Sequence, residues 1–370
     1  MKSRKARTFR FTITPLESFD MTPNEQTTHA DGSDQASSHS MDRRQFLGAM
    51  ALSAAGACFK SAVARAAEFP KAGDHSNMIV ITAPTGDIGK QVLMNILASG
   101  ARIRVIARDP SRLPTHVIDR VEVVQGSHGA AEVVDQAFKG ADTVFWLCPP
   151  DPRAPSVEAA FLDFTRPACE AIRKHGISRV VGISALGRGL TIAKHAGYVT
   201  ASLAMDDMIA ATGASFRALT MPSFIDNLER QAQSIRNQGR FFGPIDGDRK
   251  LPAVATRDIA AVAARLLIDA TWSGRKEAPV LGPEDLSFND MARVMSEVLE
   301  KPVRYTQISF DAYKAGFVQR GMSEAMAQAM TDMARAKNNG LDNAQRRTSE
   351  FTTPTSFRQW CAEELKPLAG

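Results

Sequence analysis

The sequence predicts an α/β protein, with a doubly wound parallel sheet followed by a smaller, mostly helical C-terminal lobe. Three observations support this prediction. Short apolar runs alternate with segments of helical periodicity from Met78 onward, the first run ends in a glycine-containing turn, and mainly helical patterns take over after about residue 240. The 370 residues, of which 44% are hydrophobic and 23% charged, suffice for one large core or two modest ones.

The residues before this alternation have a different composition. Residues 1–40 are rich in Thr, Ser, Asp and Gln without apolar periodicity, which predicts a disordered extension. Residues 41–66 contain Arg43-Arg44, an Ala/Gly-rich run and the small-residue site Ala64-Arg65-Ala66, a pattern typical of a twin-arginine signal for export to the periplasm. That run is too short for a stable membrane span. If the Arg-Arg pair occurs by chance, the protein is expected to be cytoplasmic. Either Met1 or Met41 is the first residue of the translated protein.

The first half of the alternation predicts a parallel sheet. Met78–Thr82 is a short apolar run ended by a turn, which is typical of a buried parallel strand. Asp87–Ala98 carries apolar residues at helical spacing and stops before Gly100. The next predicted elements are strand Arg102–Ala107, strand Val121–Val124, helix Ala131–Phe138, strand Thr143–Cys148, helix Val157–Lys174 and strand Arg179–Ser184. Strands and helices alternating at this spacing give a sheet with helices on both faces.

The second half has fewer strands and more helix. Its predicted elements are a helix that begins after Gly197 and ends at Ala211, strand Phe216–Thr220, helix Phe224–Arg236, strand Leu251–Val254, helix Asp258–Ile268, strand Ala278–Leu281, helix Phe288–Leu299, strand Val303–Ile308 and mostly helix over Phe310–Lys337. We therefore expect a smaller lobe over residues 241–370, interleaved with the last strands of the sheet.

The turn after the first strand predicts a dinucleotide site. Its residues are Ala83, Pro84, Thr85, Gly86, Asp87, Ile88 and Gly89. Glycines at Gly86 and Gly89 let the backbone approach a pyrophosphate, which the amide groups and positive dipole end of the following helix attract. The turn therefore predicts that residues 77–240 form a Rossmann domain binding a nicotinamide dinucleotide, with Ala83 and Thr85 to Gly89 in contact with it. A plain strand-to-helix turn is the alternative.

The end of the second strand indicates which nicotinamide cofactor binds. An Asp or Glu there is typical of NAD, whereas Arg108 is positioned to pair with a 2′-phosphate. The sequence thus favours NADP(H), with NAD(H) possible, unless Arg108 is a solvated loop residue. Cys148 and Ser184, at the carboxyl ends of two further strands, are expected to flank the nicotinamide.

Five segments share a pattern with a known family. They are Thr85-Gly86-Asp87-Ile88-Gly89, Arg108, Gly140-Ala141-Asp142-Thr143-Val144-Phe145, Arg179-Val180-Val181-Gly182-Ile183-Ser184 and Pro222-Ser223-Phe224-Ile225-Asp226-Asn227. From about Met78 to Leu281 the chain resembles the NmrA-like family of atypical short-chain dehydrogenases. That resemblance implies a Rossmann fold and relatives that are NAD(P)H:quinone reductases, azoreductases or redox-sensing regulators.

The chain departs from the family pattern at three places. Ala83 replaces the first glycine of the turn, and Gly126-Ser127 stands where Gly-Asp is common, which weakens one contact on the adenine side. Thr220 and Met221 replace the arginine and proline that precede the segment ending in Asn227.

Candidate catalytic residues follow from short-chain dehydrogenase chemistry, which uses a Ser, a Tyr acid and a Lys four residues after the Tyr. Ser184 and Tyr198 have nearly the right separation, but Ser202 stands where the Lys belongs. Without a cation Tyr198 is a weak acid and otherwise lines the pocket or packs. His195 titrates near neutral pH and is the other candidate proton donor, or a surface loop residue.

Composition limits the partners. The region after residue 66 has 36 basic and 34 acidic residues, a near-balance that argues against nucleic-acid binding. Four scattered cysteines predict no metal site. A methionine stripe, formed by Met322, Met326, Met330 and Met333, is either core or the lining of an adaptable pocket for a flat apolar molecule. Oligomeric state is not predicted.

These features predict an oxidoreductase that passes hydride from NADPH to a small-molecule acceptor, quinone-like or otherwise conjugated. The resemblance implies that quinone-reducing members likewise lack the Tyr/Lys pair, because an electron-poor acceptor needs little acid help. The alternative is a non-catalytic redox sensor that binds the dinucleotide and reports its state to a protein partner. Carbonyl or sugar-nucleotide chemistry requires the Tyr/Lys pair and is less favoured.

Overall fold

The computed structural model describes residues 78–370. The predicted extension over residues 1–40 and the predicted signal over residues 41–66 lie outside this range. Twelve strands are described: β1 Met78–Thr82, β2 Arg102–Ala107, β3 Glu122–Gln125, β4 Thr143–Trp146, β5 Arg179–Ala185, β6 Ser215–Met221, β7 Ser223–Phe224, β8 Arg240–Gly243, β9 Leu251–Val254, β10 Arg275–Pro279, β11 Asp285–Leu286 and β12 Arg304–Gln307. The described α-helices are α1 Asp87–Leu97, α2 Thr115–Ile118, α3 Ala131–Phe138, α4 Phe164–His175, α5 Tyr198–Ala210, α6 Ala232–Gln238, α7 Thr256–Ile268, α8 Phe288–Leu299, α9 Phe310–Gln319, α10 Glu324–Asn338, α11 Phe357–Trp360 and α12 Lys366–Ala369.

Seven strands form the central sheet in the order β10-β6-β5-β4-β1-β2-β3, and every neighbouring pair is parallel. The predicted doubly wound parallel sheet is confirmed. The chain moves outward in one direction from β1 to β3 and in the other from β4 onward. A sheet of this order has its ligand crevice at the carboxyl ends of the two strands where the direction changes, here β1 and β4.

Apolar layers cover both faces of the sheet. On one face Ile81 and Phe145 pack with Leu93 of α1 and Ile259 of α7. The other face buries Trp146 and other side chains against α3, α4 and α5. Each fully buried large apolar side chain contributes roughly 1.5–3 kcal/mol, so these two layers fix the strand ends on which the crevice depends.

The C-terminal half contributes both to the sheet and to a core of its own. β10 pairs with β6 at one edge of the central sheet. A separate apolar cluster buries Phe241, Met295 and Trp360. Two small sheets, β11-β9-β7 and β12-β8, border it. The mostly helical C-terminal lobe is confirmed, while the boundary at residue 240 stays a prediction.

Three predicted helices differ from the structure. The helix predicted over Val157–Lys174 contains a π-turn at Ala159–Asp163 before α4, because Pro167 lacks an N–H and its ring displaces the carbonyl four residues earlier. The predicted helix Phe224–Arg236 is a short strand, a 3-10 turn over Ile225–Gln231 and α6. The helix predicted over Phe310–Lys337 is broken into α9 and α10 at Gly321, whose φ is 85°.

Two strand ends also differ. β4 ends at Trp146 rather than Cys148. β10 covers Arg275–Pro279 rather than Ala278–Leu281, because Leu281 pairs instead with the C-terminal segment: its N–H donates to the Phe351 carbonyl (2.9 Å), and the Thr353 N–H donates to its carbonyl (2.7 Å). Among residues 78–370, no helix combines the length and apolar character that a membrane crossing requires.

Candidate functional site

The crevice opens where β1 and β4 stop pairing directly. Backbone pairing between them ends at Ile81 and Phe145. Beyond it the buried Thr82 hydroxyl donates to the Phe145 carbonyl (2.9 Å) and accepts from the Leu147 N–H (2.9 Å). A side chain thus takes the place of backbone pairing, and the two strand ends diverge around it.

The turn from β1 into α1 forms the floor of the crevice. Ala83 has a φ of 49°, a left-handed conformation that favours glycine. The Gly86 N–H donates to the Ala83 carbonyl (3.1 Å), which closes the turn. A Cβ on Gly89 would lie 2.1 Å from that same carbonyl oxygen, so only glycine allows the helix to pack this close to the strand.

The start of α1 suits an anionic ligand. Gly86 is its N-cap residue and is exposed, and no described side chain caps the first-turn amides. Uncapped amides at a helix N-terminus carry a partial positive charge that attracts phosphate. Thr85 is half-buried and Asp87 exposed beside them, while Ile88 is buried in the core and anchors the helix. The uncapped amides suit the diphosphate of a dinucleotide, and the predicted contacts of the side chains with it stay predictions.

Arg108 follows β2 directly and is exposed. Within residues 78–370 it forms no ion pair or hydrogen bond. The adjacent Asp109 carboxylate does not neutralise it by contact, because it accepts from the Ser111 N–H (3.1 Å) and hydroxyl (2.6 Å), which lowers its pKa. Arg108 therefore presents its positive charge to solvent at the carboxyl end of β2, and its predicted contact with a 2′-phosphate stays a prediction.

His128, which was not predicted from the sequence, lies in the loop between β3 and α3. Its Nε2 is 3.0 Å from the Leu147 carbonyl, and its ring packs edge-on against Trp146 and Phe164 at 5.3 and 4.9 Å. Burial, with a smaller contribution from the charge of Arg108, lowers its pKa to about 4, so the ring is neutral at physiological pH. His128 ties the loop after β3 to the end of β4. Its position two residues after Gly126 was the available sequence signal.

Ser184 lies near the end of β5 as predicted, whereas Cys148 lies two residues beyond the end of β4, and each has a partner within the protein. The half-buried Cys148 thiol donates to the Ala160 carbonyl (3.3 Å), and burial raises its pKa to about 12, so it stays protonated. The buried Ser184 hydroxyl donates to the carboxylate of Asp206 in α5 (2.5 Å). Their predicted contacts with the nicotinamide stay predictions.

Tyr198 is the first residue of α5 and lies near Asp151 in the loop that follows β4. Its ring packs edge-on against Phe161 at 5.5 Å. Burial, followed by the nearby Asp151 carboxylate and Tyr313, raises the pKa of Tyr198 to about 12, and no cation within residues 78–370 contributes to lower it. The phenol is therefore a neutral hydrogen-bond donor. His195 is exposed in the 3-10 turn Thr191–His195, and its imidazole forms no hydrogen bond with a described residue.

Tyr313 of α9, which was also not predicted from the sequence, lies near Tyr198. We call the surface formed by Phe161, Tyr198 and Tyr313 the aromatic wall. Its ring packs edge-on against Phe317 at 4.7 Å, and the Arg320 guanidinium lies 5.1 Å from the centre of the Phe317 ring. Burial raises the pKa of Tyr313 to about 12. A Tyr, a Phe and an Arg spaced four and three residues apart share one helix face, and this was the sequence signal.

Helices α9 and α10 are fixed to the crevice by Ser323. Its N–H donates to the Pro152 carbonyl (2.9 Å) and its hydroxyl donates to the Ala154 carbonyl (2.6 Å), in the loop that follows β4. α10 also packs closely on the residue before α5, since a Cβ on Gly197 would lie 2.0 Å from the Ala329 carbonyl oxygen. The C-terminal helices therefore form part of the crevice wall.

The methionine stripe belongs mainly to packed surfaces. Met326 is fully buried beneath the central sheet, and Met322 packs partly buried against the same cluster. Met333 packs against a smaller cluster, and Met330 is half-buried. No group of three or more His, Cys, Asp or Glu side chains among residues 78–370 is arranged to hold a metal ion.

In the segment that ends in Asn227, Asp226 makes the hydrogen bonds to other elements. The two oxygens of Asp226 accept from the N–H and hydroxyl of Thr256 (2.8 and 2.7 Å), at the start of α7. Gln91 of α1 donates to the same Thr256 hydroxyl (2.9 Å). This segment therefore links α7 to the helix that carries the dinucleotide turn, while Asn227 itself is exposed.

Comparison with known proteins agrees with this geometry. A family model described as NAD(P)H-binding matches residues 84–270, and a second, the NmrA-like family, matches residues 204–359. A (4-alkanoyl-5-oxo-2,5-dihydrofuran-3-yl)methyl phosphate reductase of Streptomyces griseus is 29% identical over 79% of this chain and 99% of its own length. An NAD(P)H azoreductase of Xenophilus azovorans is 26% identical over 69% of this chain and 86% of its own length.

Solved structures share the fold. An NADPH-dependent quinone oxidoreductase of Escherichia coli in complex with NADPH has a TM-score of 0.65 at 20% identity, covering 79% of this chain and all of that one. A triphenylmethane reductase of Citrobacter in complex with NADP(H) has a TM-score of 0.63 at 18% identity, covering 80% of this chain and all of that one.

Proposed function

Because the chain belongs to the NAD(P)H-binding family, and its C-terminal half to the NmrA-like family, we propose that it is an NADPH-dependent oxidoreductase that passes hydride to a quinone-like or other conjugated acceptor. The observation that carries this proposal is Tyr198. It lies near the loop that follows β4, and no cation among residues 78–370 lowers its pKa, which is about 12. An acceptor that needs little help from an acid suits such a site better than a simple carbonyl.

Three groups of residues would hold the cofactor, whose reduced nicotinamide supplies the hydride. The first-turn amides of α1 and the turn closed by Gly86 would bind the diphosphate. Arg108 would pair with the 2′-phosphate, which favours NADPH over NADH. The loop after β4, held in place by Ser323, would form one side of the nicotinamide end.

The acceptor would bind against the aromatic wall. Phe161 and Tyr198 contribute one part of this surface and Tyr313 another. A flat conjugated molecule gains from stacking on such rings and from excluding water. The neutral phenols of Tyr198 and Tyr313 are suited to donate a hydrogen bond to an oxygen or nitrogen that becomes more basic on reduction. The names of the reductase and azoreductase relatives support this acceptor class.

Turnover with a panel of acceptors tests the proposal. The protein from Ala67 onward is mixed with NADPH and, separately, with short-chain quinones, an azo dye and simple aldehydes, and loss of the reduced-nicotinamide absorbance is followed. Quinones or the azo dye should be reduced faster than aldehydes. Tight NADPH binding without turnover of any acceptor would instead support a redox sensor, and preferred aldehyde reduction would contradict the proposal.

We also propose that residues 41–66 direct export through the twin-arginine route, on the sequence pattern alone. Replacing Arg43 and Arg44 together by Lys should retain the protein in the cytoplasm of the expressing cell. Unchanged fractionation of this variant would refute the export signal.

A further inference from the structure

Asp206 is a fully buried carboxylate in the middle of α5, and it has no role in the site described above. One of its oxygens, Oδ2, accepts from the Ser184 hydroxyl (2.5 Å) near the end of β5. The other, Oδ1, is buried and has no hydrogen-bond partner among the residues that the structure describes. A buried carboxylate with a free oxygen is costly, so the position requires a reason beyond packing.

The same carboxylate contacts the loop that follows β5. Arg188 Nη2 lies 3.4 Å from Asp206 Oδ2, and the same nitrogen donates to the Leu203 carbonyl (3.2 Å). Asp206 thus contacts both the last turn of the strand and the loop after it. This β5–α5 loop, residues 186–197, leads directly to Tyr198 at the start of α5.

The other charges around this group lie nearer the surface. Arg188 also pairs with Asp207 (2.9 Å) and with Glu277 of β10 (2.7 Å). Arg275 pairs with Asp207 (2.5 Å) and its charge reaches Asp206. Burial raises the pKa of Asp206 to about 7, against the opposing effects of Ser184, Arg188 and Arg275. The carboxyl therefore changes its protonation in the neutral range.

We propose that Asp206 is a positioning residue, which holds the β5–α5 loop through Ser184 and Arg188 and so fixes Tyr198 at the start of α5. The proposal rests on the oxidoreductase function proposed above. When Asp206 is ionised, the Arg188 guanidinium is held from three sides, by Asp206, Asp207 and Glu277. When Asp206 is protonated, only the two partners outside the core retain their charge, and the loop loses its buried anchor.

Asp206→Asn tests the proposal, because asparagine can still accept from Ser184 but carries no charge. The matched control is Asp207→Asn, which removes a partner of the same Arg188 from an exposed position. The first readout is kcat/KM for the acceptor between pH 5.5 and 8.5. In the wild type and in Asp207→Asn it should rise through a step near pH 7, by roughly ten- to a hundredfold, the effect of one hydrogen bond to a charged group. In Asp206→Asn, kcat/KM should keep the low value of the acidic range at every pH and show no step.

The second readout does not depend on turnover. Trypsin cleaves after Arg188 and Lys194, both within the loop, and mass spectrometry identifies the products. At pH 8 Asp206→Asn should be cut in this loop several-fold faster than Asp207→Asn. If Asp206→Asn does not fold, Ser184→Ala replaces it: loss of a donor to the carboxylate should move the step to higher pH.

The two proposals fail in different ways. Absence of NADPH oxidation with every acceptor would remove the oxidoreductase function, and the trypsin comparison would still decide the role of Asp206. A wild-type pH profile together with a control rate of loop cleavage in Asp206→Asn would overturn the positioning role. An unmoved step in Ser184→Ala would do the same.

Discussion

At the scale of single residues, Arg108 decides between the two nicotinamide cofactors. Arg108→Ala should weaken NADPH binding by roughly 1–3 kcal/mol, the range for hydrogen bonds to a charged group, and leave NADH binding nearly unchanged. Titration calorimetry with both cofactors measures this. Arg112→Ala, an exposed arginine four residues further along, is the control and should bind both as the wild type does. Equal losses for NADPH and NADH in Arg108→Ala would show that the guanidinium does not contact the 2′-phosphate.

Tyr198 is expected to act as a hydrogen-bond donor and an aromatic surface, not as a general acid, because burial holds its pKa near 12. Tyr198→Phe should therefore lower kcat for a quinone by only about two- to tenfold, the effect of one neutral hydrogen bond. Loss of a general acid would cost on the order of a hundredfold or more. Steady-state kinetics distinguish the two. Tyr198→Ala, which also removes the ring that packs on Phe161, should raise KM as well.

At the scale of elements, the two glycines of the β1–α1 turn have different roles: Gly89 is needed for packing, and Gly86 for the approach of the ligand. Gly89→Ala should destabilise the fold and abolish NADPH binding, because its methyl group would lie 2.1 Å from the Ala83 carbonyl oxygen. In Gly86→Ala the nearest atom is at an ordinary 3.5 Å, so Tm should hardly change. The added methyl lies where the diphosphate approaches, and NADPH should bind roughly tenfold more weakly, or about 1.4 kcal/mol. Thermal unfolding and calorimetry on both variants check this, and equal Tm values would contradict it.

Ser323 couples helix α10 to the loop after β4. Ser323→Ala removes both an N-cap and the hydrogen bond to Ala154, so it should cost about 1 kcal/mol of stability and raise KM for the acceptor. Ser309→Ala is the control: it removes the N-cap of α9, which makes no such bond to the loop. Denaturant unfolding should show a loss in Ser309→Ala as well, smaller by the contribution of the hydrogen bond to Ala154. If KM rises equally in both variants, the Ser323 link does not shape the acceptor site.

The elements of the sheet were predictable because hydrophobic periodicity and turn residues are local. The predicted bounds of α3 and α8 agree with the structure, and β2 agrees as well. The misses depend on contacts between distant residues. The end of β4 depends on the Thr82 hydroxyl, and β10 is shifted because Leu281 pairs with a segment 70 residues later. Neither contact leaves a local pattern.

The candidate site was predictable only in part, for the same reason. The glycine turn and Arg108 could be placed from one strand–turn–helix unit and the end of one strand. The partners of Ser184, His128 and Tyr198 come from other elements, so spacing along the chain could not reveal those contacts. Gly197 with a φ of 54° and its close approach to Ala329 likewise depends on the fold of the C-terminal helices.

At the scale of the whole molecule, two buried groups make opposite contributions to the pH dependence of stability. The folded pKa of His128 is about 4, against 6.5 in an unfolded chain, so only the unfolded chain gains a proton as pH falls between these values, and stability is lost. The folded pKa of Asp206 is about 7, against 3.8, so only the unfolded chain ionises as pH rises from about 4, and stability falls toward pH 7. Between pH 4.5 and 6.5 these slopes oppose each other.

One variant for each group should reveal its contribution to the slope of the free energy of unfolding against pH. His128→Gln keeps a donor toward the Leu147 carbonyl but does not titrate, so between pH 4.5 and 6.5 its free energy of unfolding should fall with rising pH relative to the wild type. Asp206→Asn should show a rise over the same interval. Each slope should approach about 1.4 kcal/mol per pH unit at most. Urea unfolding at four pH values measures both, and slopes of the same sign would contradict the assignment.

The edge position of β10 has a consequence for synthesis. Strand β6 ends at residue 221, yet its outer neighbour is residues 275–279, and that neighbour is followed by a bridge between Leu281 and Thr352. During synthesis, the outer edge of β6 therefore stays unpaired until more than fifty further residues have been added to the chain. We expect a fragment truncated at residue 240 to aggregate, and the chain to acquire protease resistance only when nearly all of it has been translated.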